Sequence, residues 1–390
     1  MTTHVEYWNV GATTSTNSAL AHGTISAHLL ADWAPFLPPA VATSFLGWPQ
    51  YLTEVATLGS VAYLALTERA GHIERQWKAV LSWMLGVAGA RQFLALEGYK
   101  WIAPLSAFYP NLAQPVSILW HPSFPPTALS AARAAGSLSR LRPDYVALRS
   151  SMSGSDFDWA IVEAKGTSDC LTNKALCDTS WRNQARNVAL SLHGAPLSVS
   201  RHVVVATRSN PNAQTSKARR LQIRAWNSDE DPIPPPPEAV VDVVYASLFS
   251  LCSNLDLRSN ARALAYAITA RVTPSQAAQA DQPPRLELQD ADAELERLGS
   301  QPLDSYRWSS AIWSLRIPGL AAKVEISGPI VSLLRRLVRT VEVEEALAAI
   351  LEAERELHSW RFSTEGHGAD GTIIKVPQGL IITTTEGHVG

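Results

Sequence analysis

The sequence predicts a mixed α/β fold, with helices covering a sheet of short strands. Three observations carry that expectation. Between residues 74 and 207, segments with apolar side chains at three-and-four spacing alternate with short apolar runs bounded by Gly, Pro and Ser. Within that stretch, 142–149 and 159–165 switch to a period of two across a Gly/Ser/Asp-rich connector, the pattern of a hairpin. The balance of 46% apolar to 17% charged residues over 390 positions supplies a large core and excludes a disordered chain.

Residues 1–70 carry one basic residue, Arg69, and four acidic ones, and are expected to form a helical, low-charge region. The apolar run 51–66 reads as a buried helix. A second helix is expected from Glu74 to about Leu96, where Trp77, Val80, Leu81, Met84 and Leu85 recur on one face. Residues 115–120 read as a strand, 127–138 as an Ala-rich helix, and 142–149 and 159–165 as paired strands. Residues 175–193 read as a helix ended by Gly194, and 202–207 and 220–226 as further strands. The prolines of 231–237 favour an extended spacer and mark a boundary. The expected division is 1–70, a core at 71–230, a linker at 231–237, and a C-terminal helical region at 238–390. That last region would hold one or two helices in 238–272, an acidic helix within 274–300, one bent or two separate helices in 329–359, and a terminal β-hairpin.

No run of eighteen apolar residues occurs, so no membrane span is expected. The opening MTTHVEYWNV lacks the pattern of a secretory signal. Cys170, Cys177 and Cys252 form no C-x-x-C pair, which fits neither a disulfide framework nor a zinc knuckle. A cytoplasmic location is the expectation. The net charge of −2 hides an asymmetry: 133–224 holds fourteen Lys/Arg and six Asp/Glu, the rest nineteen and twenty-nine. A basic middle between acidic flanks is a footprint for a polyanion, with a merely solvated basic surface as the alternative.

The chemistry is concentrated in Asp144 and, nineteen residues on, Glu163-Ala164-Lys165. On a strand, Trp159, Ile161, Glu163 and Lys165 share one side. A carboxylate and an ammonium ending an apolar strand need compensation, because burying lone charge is expensive. If 145–149 pairs with 159–164, Asp144 begins one strand where Glu163 ends its neighbour, and the two carboxylates lie side by side. A divalent cation would relieve their repulsion, and Mg²⁺ commonly takes one or two protein carboxylates with water and phosphate.

Pro143-Asp144 with Glu163-Ala164-Lys165 resembles the PD-(D/E)xK phosphodiesterase superfamily of restriction-endonuclease-like nucleases. The resemblance covers roughly 72–226. It implies an αβββαβ core flanked by mostly helical regions, with the helix at 127–138 as an insertion. It implies Asp144, Glu163 and the Ala164 carbonyl as ligands of Mg²⁺, for which Mn²⁺ could substitute, and Lys165 as the catalytic lysine. Some members carry a glutamine on the next helix, and Gln184 in Trp181–Asn187 stands in a suitable place. Arg182 and Arg186, four apart on that helix, would meet a phosphate backbone. An acidic residue on the first helix, Glu74 or Glu97, is a further candidate. The implied activity is hydrolysis of nucleic acid, DNA ahead of RNA, with a place in bacterial restriction or antiphage defence. The flanks would serve a protein partner or a homodimer. The alternative is a catalytically silent or partner-activated binding subunit of the same fold.

Other residues read as structural. The ten histidines form no metal-binding helix pattern, and no G-x-S-x-G anchors a Ser-His-Asp triad. Asp156 and Asp158 fit local turn bonding. Trp33, Trp48, Trp77 and Trp83 are expected in the core. Trp181 and Trp226 lie in or beside the basic region, where packing is favoured over base stacking.

Overall fold

The computed structural model describes residues 2–9, 16–21, 56–58, 64–66, 75–105, 120–121, 143–151, 156–167, 179–186, 189–192, 195–199, 201–208, 222–228, 233–254, 257–272, 285–300, 320–340, 342–358, 363–368, 371–376 and 379–386. Strands β1 (Thr2–Asn9), β2 (Thr16–Ala21), β3 (Ala56–Leu58) and β4 (Leu64–Leu66) precede the long helix α1 (Arg75–Leu96). Next come β5 (Trp101–Pro104), β6 (Trp120–His121), β7 (Tyr145–Ser150) and β8 (Phe157–Thr167). Helix α2 (Thr179–Arg186) leads to β9 (Ala189–Leu192), β10 (Ala195–Leu197), β11 (His202–Arg208) and β12 (Gln222–Asn227). The rest is helical until its end: α3 (Pro237–Asn254), α4 (Arg258–Val272), α5 (Arg285–Ser300), β13 (Leu320–Ile326), α6 (Gly328–Leu337), α7 (Val343–Leu357), then β14 (Ser363–Gly368), β15 (Gly371–Val376) and β16 (Leu380–Glu386).

The fold is mixed α/β, as the sequence predicts. A seven-stranded sheet runs β2-β1-β12-β11-β8-β7-β5. β7 and β8 form the expected antiparallel hairpin, with Tyr145 opposite Val162 and Ser150 opposite Phe157. β11 lies parallel to β8, and β12 antiparallel to β11. Strand alternation then assigns the two faces. One carries Ala147, Ala160, Val162, Val203, Val205 and Thr207, packed under α1. Glycines permit that close approach: a Cβ on Gly86 would lie 2.6 Å from the Gly166 backbone nitrogen, and one on Gly166 would overlap the Ser82 carbonyl oxygen. Arg91 of α1, almost fully buried, stacks over the Tyr145 ring at 5.4 Å.

The opposite face is covered in two parts. At the β5–β7 side, Trp101, Ala103, Leu105, Val146, Leu148, Trp159 and Ile161 join one apolar cluster with α3, α4, α6 and α7. At the β11–β12 side, Ala185 of α2 packs with Val204, Ala206 and Trp226. The prolines expected to space two domains lead straight into α3, whose residues share the sheet's core. A buried polar tie reinforces that junction. Glu354 of α7 accepts hydrogen bonds from Lys100 Nζ and Trp101 Nε1, each at 2.6 Å, and from Ser150 Oγ at 3.2 Å. Among the described residues no helix is long and apolar enough to cross a membrane.

Three expectations are corrected. The N-terminal region is not helical where it is described: β1 and β2 extend the central sheet, β1 pairing parallel with β12. Thr, Val, Tyr and Trp in 2–9 suit a pleated surface. The run 51–66 holds the antiparallel pair β3–β4 instead of a helix; Gly59-Ser60 divides an apolar stretch whose spacing alone fits either structure. The helix expected at 175–193 ends at Arg186, and Ala189–Leu192 is a strand paired to β10 and β6. The periodic segment 329–359 resolves as two helices, and the terminal hairpin is β15–β16, joined by β13 and β14 into a four-stranded sheet. The helix expected at 127–138 and residues 115–119 of the expected strand lie outside the described residues.

Candidate active site

Asp144 immediately precedes β7, and its position is fixed by the backbone. Its N–H donates to the Val162 carbonyl at 3.0 Å, and its carbonyl accepts from Leu105 N–H at 2.9 Å. The β7–β8 ladder ends at the Tyr145–Val162 pair, and Asp144, one residue earlier, still bonds to Val162, which leaves it beside the Val162–Ala164 end of β8. Glu163 projects from the face that carries Ile161. The side chains do meet. Asp144 Oδ2 accepts from the Ala164 N–H at 2.8 Å, and the Asp144 carboxyl lies within hydrogen-bonding reach of Glu163.

Glu163 is the buried member, 1% exposed. Its Oε1 pairs with Lys165 Nζ. Its Oε2 is buried with no hydrogen-bond donor among the described residues. Burial pushes the Glu163 carboxyl well above the usual carboxylate range, the Asp144 charge pushes the same way, and Lys165 opposes both. Lys165, one-quarter exposed, also donates to Gln184 Oε1 of α2 at 2.8 Å. Gln184 therefore holds the ammonium from the helix side while Glu163 holds it from the sheet.

This donor set fits a hard divalent cation. Two carboxylates converge and one oxygen lacks a proton donor among the described residues, so either a shared proton or a cation must offset the repulsion. The Ala164 carbonyl could supply a third oxygen. Its N–H and carbonyl point to the β7 edge, as those of Val162 do, yet β7 pairing has already ended opposite Val162. Among the described residues no cluster of three or more His, Cys, Asp or Glu side chains forms. Mg²⁺ tolerates so few protein ligands because it keeps several waters.

The remaining candidates sort by place. Arg182 and Arg186 sit on α2 with their guanidinium groups 5.1 and 5.6 Å from the Trp226 ring centre. Trp226 is buried and Trp181 packs against it, so both serve packing, as expected. Trp83 is corrected: it is 52% exposed on α1, because the helix buries its other side against the sheet. Glu97 is exposed beyond the end of α1, where its carbonyl accepts from Arg149 Nη1. Arg149 in turn pairs with Asp158 at 3.2 Å. Asp158 lies five residues before Glu163 on β8, roughly 16 Å away along the strand. Glu97 and Asp158 thus belong to the far end of the sheet; Glu74 lies outside the described residues.

Two residues escaped the sequence reading. Arg208 ends β11 and Arg224 lies in β12, opposite Ala206, which itself is opposite Lys165. Alternation places both on the Lys165 face, but only after the strand order is known. In comparison with known proteins, no family model, no curated protein and no solved structure matches the chain, so its chemistry rests on this arrangement of Asp144, Glu163, Lys165 and Gln184.

Proposed function

We propose that the chain is a Mg²⁺-dependent phosphodiesterase acting on nucleic acid, DNA ahead of RNA, of the PD-(D/E)xK type. The observation that carries this reading is the meeting of Asp144 and Glu163 at adjoining strand ends, with a buried Glu163 oxygen that finds no donor among the described residues. The order of α1, β5, β7, β8, α2 and β11 agrees with it. Asp144, Glu163 and the Ala164 carbonyl would hold the ion. When bound, the ion would lower the pKa of a coordinated water and neutralise phosphate charge. Lys165 sits beside the carboxylates with its Nζ fixed from two sides. Its ammonium orients the attacking water by hydrogen bonding and stabilises charge developing on the phosphate. Gln184 keeps that ammonium from turning to solvent. Asp144 is itself aimed by the Ala164 N–H.

The test uses the purified full chain with plasmid and single-stranded substrates in Mg²⁺, Mn²⁺ or EDTA. Cleavage should require the metal. Lys165→Ala should reduce it by roughly a hundredfold or more, the range of a lost positioned catalytic group. Products formed equally well by Lys165→Ala would overturn the assignment. Metal-independent binding with no cleavage by the native chain would instead identify a silent binding subunit.

A further inference from the structure

The acid–lysine site occupies one end of the central sheet. Asp144 lies at the start of β7, and Lys165 is near the end of β8. β11 is parallel to β8, so its end, Arg208, reaches the same edge; β12 is antiparallel, so its start, Gln222–Arg224, does too. Register makes the row explicit. Lys165, Ala206 and Arg224 are cross-strand neighbours, and Thr167, Arg208 and Gln222 form the next row outward. All six project from the face on which α2 packs, since Ala206 and Trp226 contact Ala185 there.

Four guanidinium groups therefore gather on that flank. Arg224 is two residues before Trp226 on the same strand face, and Arg182 and Arg186 stack on that indole. Arg208 sits part-exposed, its Nε without an acceptor among the described residues and its Nη1 reaching Gln222 Oε1 at 3.4 Å. Concentrating like charge on one face costs self-repulsion, which a polyanion relieves by counterion release. The spacing also suits one. Four adjacent strands, β7 to β12, span about 14 Å at 4.8 Å each, enough for successive phosphates of one strand to lie across the sheet end.

Resting on the phosphodiesterase reading, we infer that Arg208 and Arg224, with Arg182 and Arg186, form a phosphate-binding track that carries the nucleic-acid strand away from the acid–lysine site across β11 and β12. The strand runs perpendicular to the β-strands. Arg208 and Arg224 bind phosphates that are not cleaved, so they act on binding and leave the reacting atoms alone.

The experiment measures binding of fluorescein-labelled single-stranded and duplex DNA to the full chain in EDTA, across a salt series. The double variant Arg208→Ala/Arg224→Ala should bind roughly tenfold more weakly. Its log–log salt slope should fall by about 1.4 on single strands or 1.8 on duplex, two phosphate contacts' worth. Arg208→Lys/Arg224→Lys, which keeps both charges, should retain the native slope; this separates lost contact from a damaged fold. Arg336→Ala, an exposed arginine on α6, should leave the slope unchanged. A native slope in the double alanine variant would overturn the track, as would a native chain that binds neither DNA at low salt. Because binding is read without metal, failure of the hydrolysis assignment shows separately, as DNA bound with native salt dependence but not cut when Mg²⁺ is added.

Discussion

Glu163 is an expensive residue to bury, and its surroundings explain why it stays. Its carboxyl is 1% exposed, faces Asp144, and among the described residues is balanced by Lys165 alone. With its pKa raised, the charged form is less favourable in the fold than in water, so a neutral isostere removes a cost. Glu163→Gln is expected to melt about a degree higher than the native chain in EDTA, on the order of 1 kcal/mol. Mn²⁺ should raise the melting temperature of the native chain and leave the variant's unmoved, because ligand binding to the folded state adds stability. Equal Mn²⁺ shifts in both proteins would remove Glu163 from the ligand set. At this scale the sequence was informative. A period of two on either side of one turn is enough to bring Asp144 beside the end of the strand that carries Glu163, because hairpin partners are close in the chain. Arg208 and Arg224 were not legible for the converse reason: their place beside Lys165 depends on β11 lying between β8 and β12, a long-range pairing that local spacing does not encode.

Helix α1 shows how an element's packing can override its propensity. Gly86 and Gly89 lie within it, and a glycine inside a helix costs roughly 0.5–1 kcal/mol relative to alanine. Propensity alone thus favours replacement. The sheet forbids it: a Cβ on Gly86 would approach the Gly166 nitrogen and the Lys165 carbonyl carbon at 2.6 and 2.8 Å, both rigid backbone atoms. Gly86→Ala is expected to destabilise the protein by about 2 kcal/mol net, the scale of core overpacking, read from the urea midpoint. It should also lower cleavage, because α1 would push on the backbone of Lys165; a midpoint above the native one would show that the helix lifts away freely. The elements misread in the sequence were those where local preference is ambiguous. Residues 51–66 are mostly apolar with no clear period, and 188–192 alternate only briefly after a helix. The long, clear periodicity of 75–96 was placed within a residue or two, whereas that of 329–359 fits one bent helix as well as two and does not locate the break between Leu337 and Val343.

For the whole molecule, the proline run is punctuation without separation. Helices from 237 onward complete the core begun by β5, β7 and β8. The polar tie at their junction sets the stakes. Lys100 and Glu354 side chains are 9% and 5% exposed, 254 residues apart in sequence. Glu354→Ala leaves the Lys100 ammonium buried beside Trp101 without its carboxylate, a loss of about 3–5 kcal/mol. Adding Lys100→Met to Glu354→Gln removes both charges and keeps an acceptor for Trp101 Nε1. That double variant should regain most of the native denaturation midpoint. A double variant no more stable than Glu354→Ala would mean that the pair does not act through charge.

The same lysine–glutamate tie orders events during translation. A ribosome that has synthesised the first 300 residues has already made every side chain of the acid–lysine site. It has not yet made the partner that neutralises Lys100 at the edge of the sheet. Tight closure of that edge therefore waits on the synthesis of Glu354, so a nascent chain that stops short of it carries the acid–lysine residues on an unfinished scaffold.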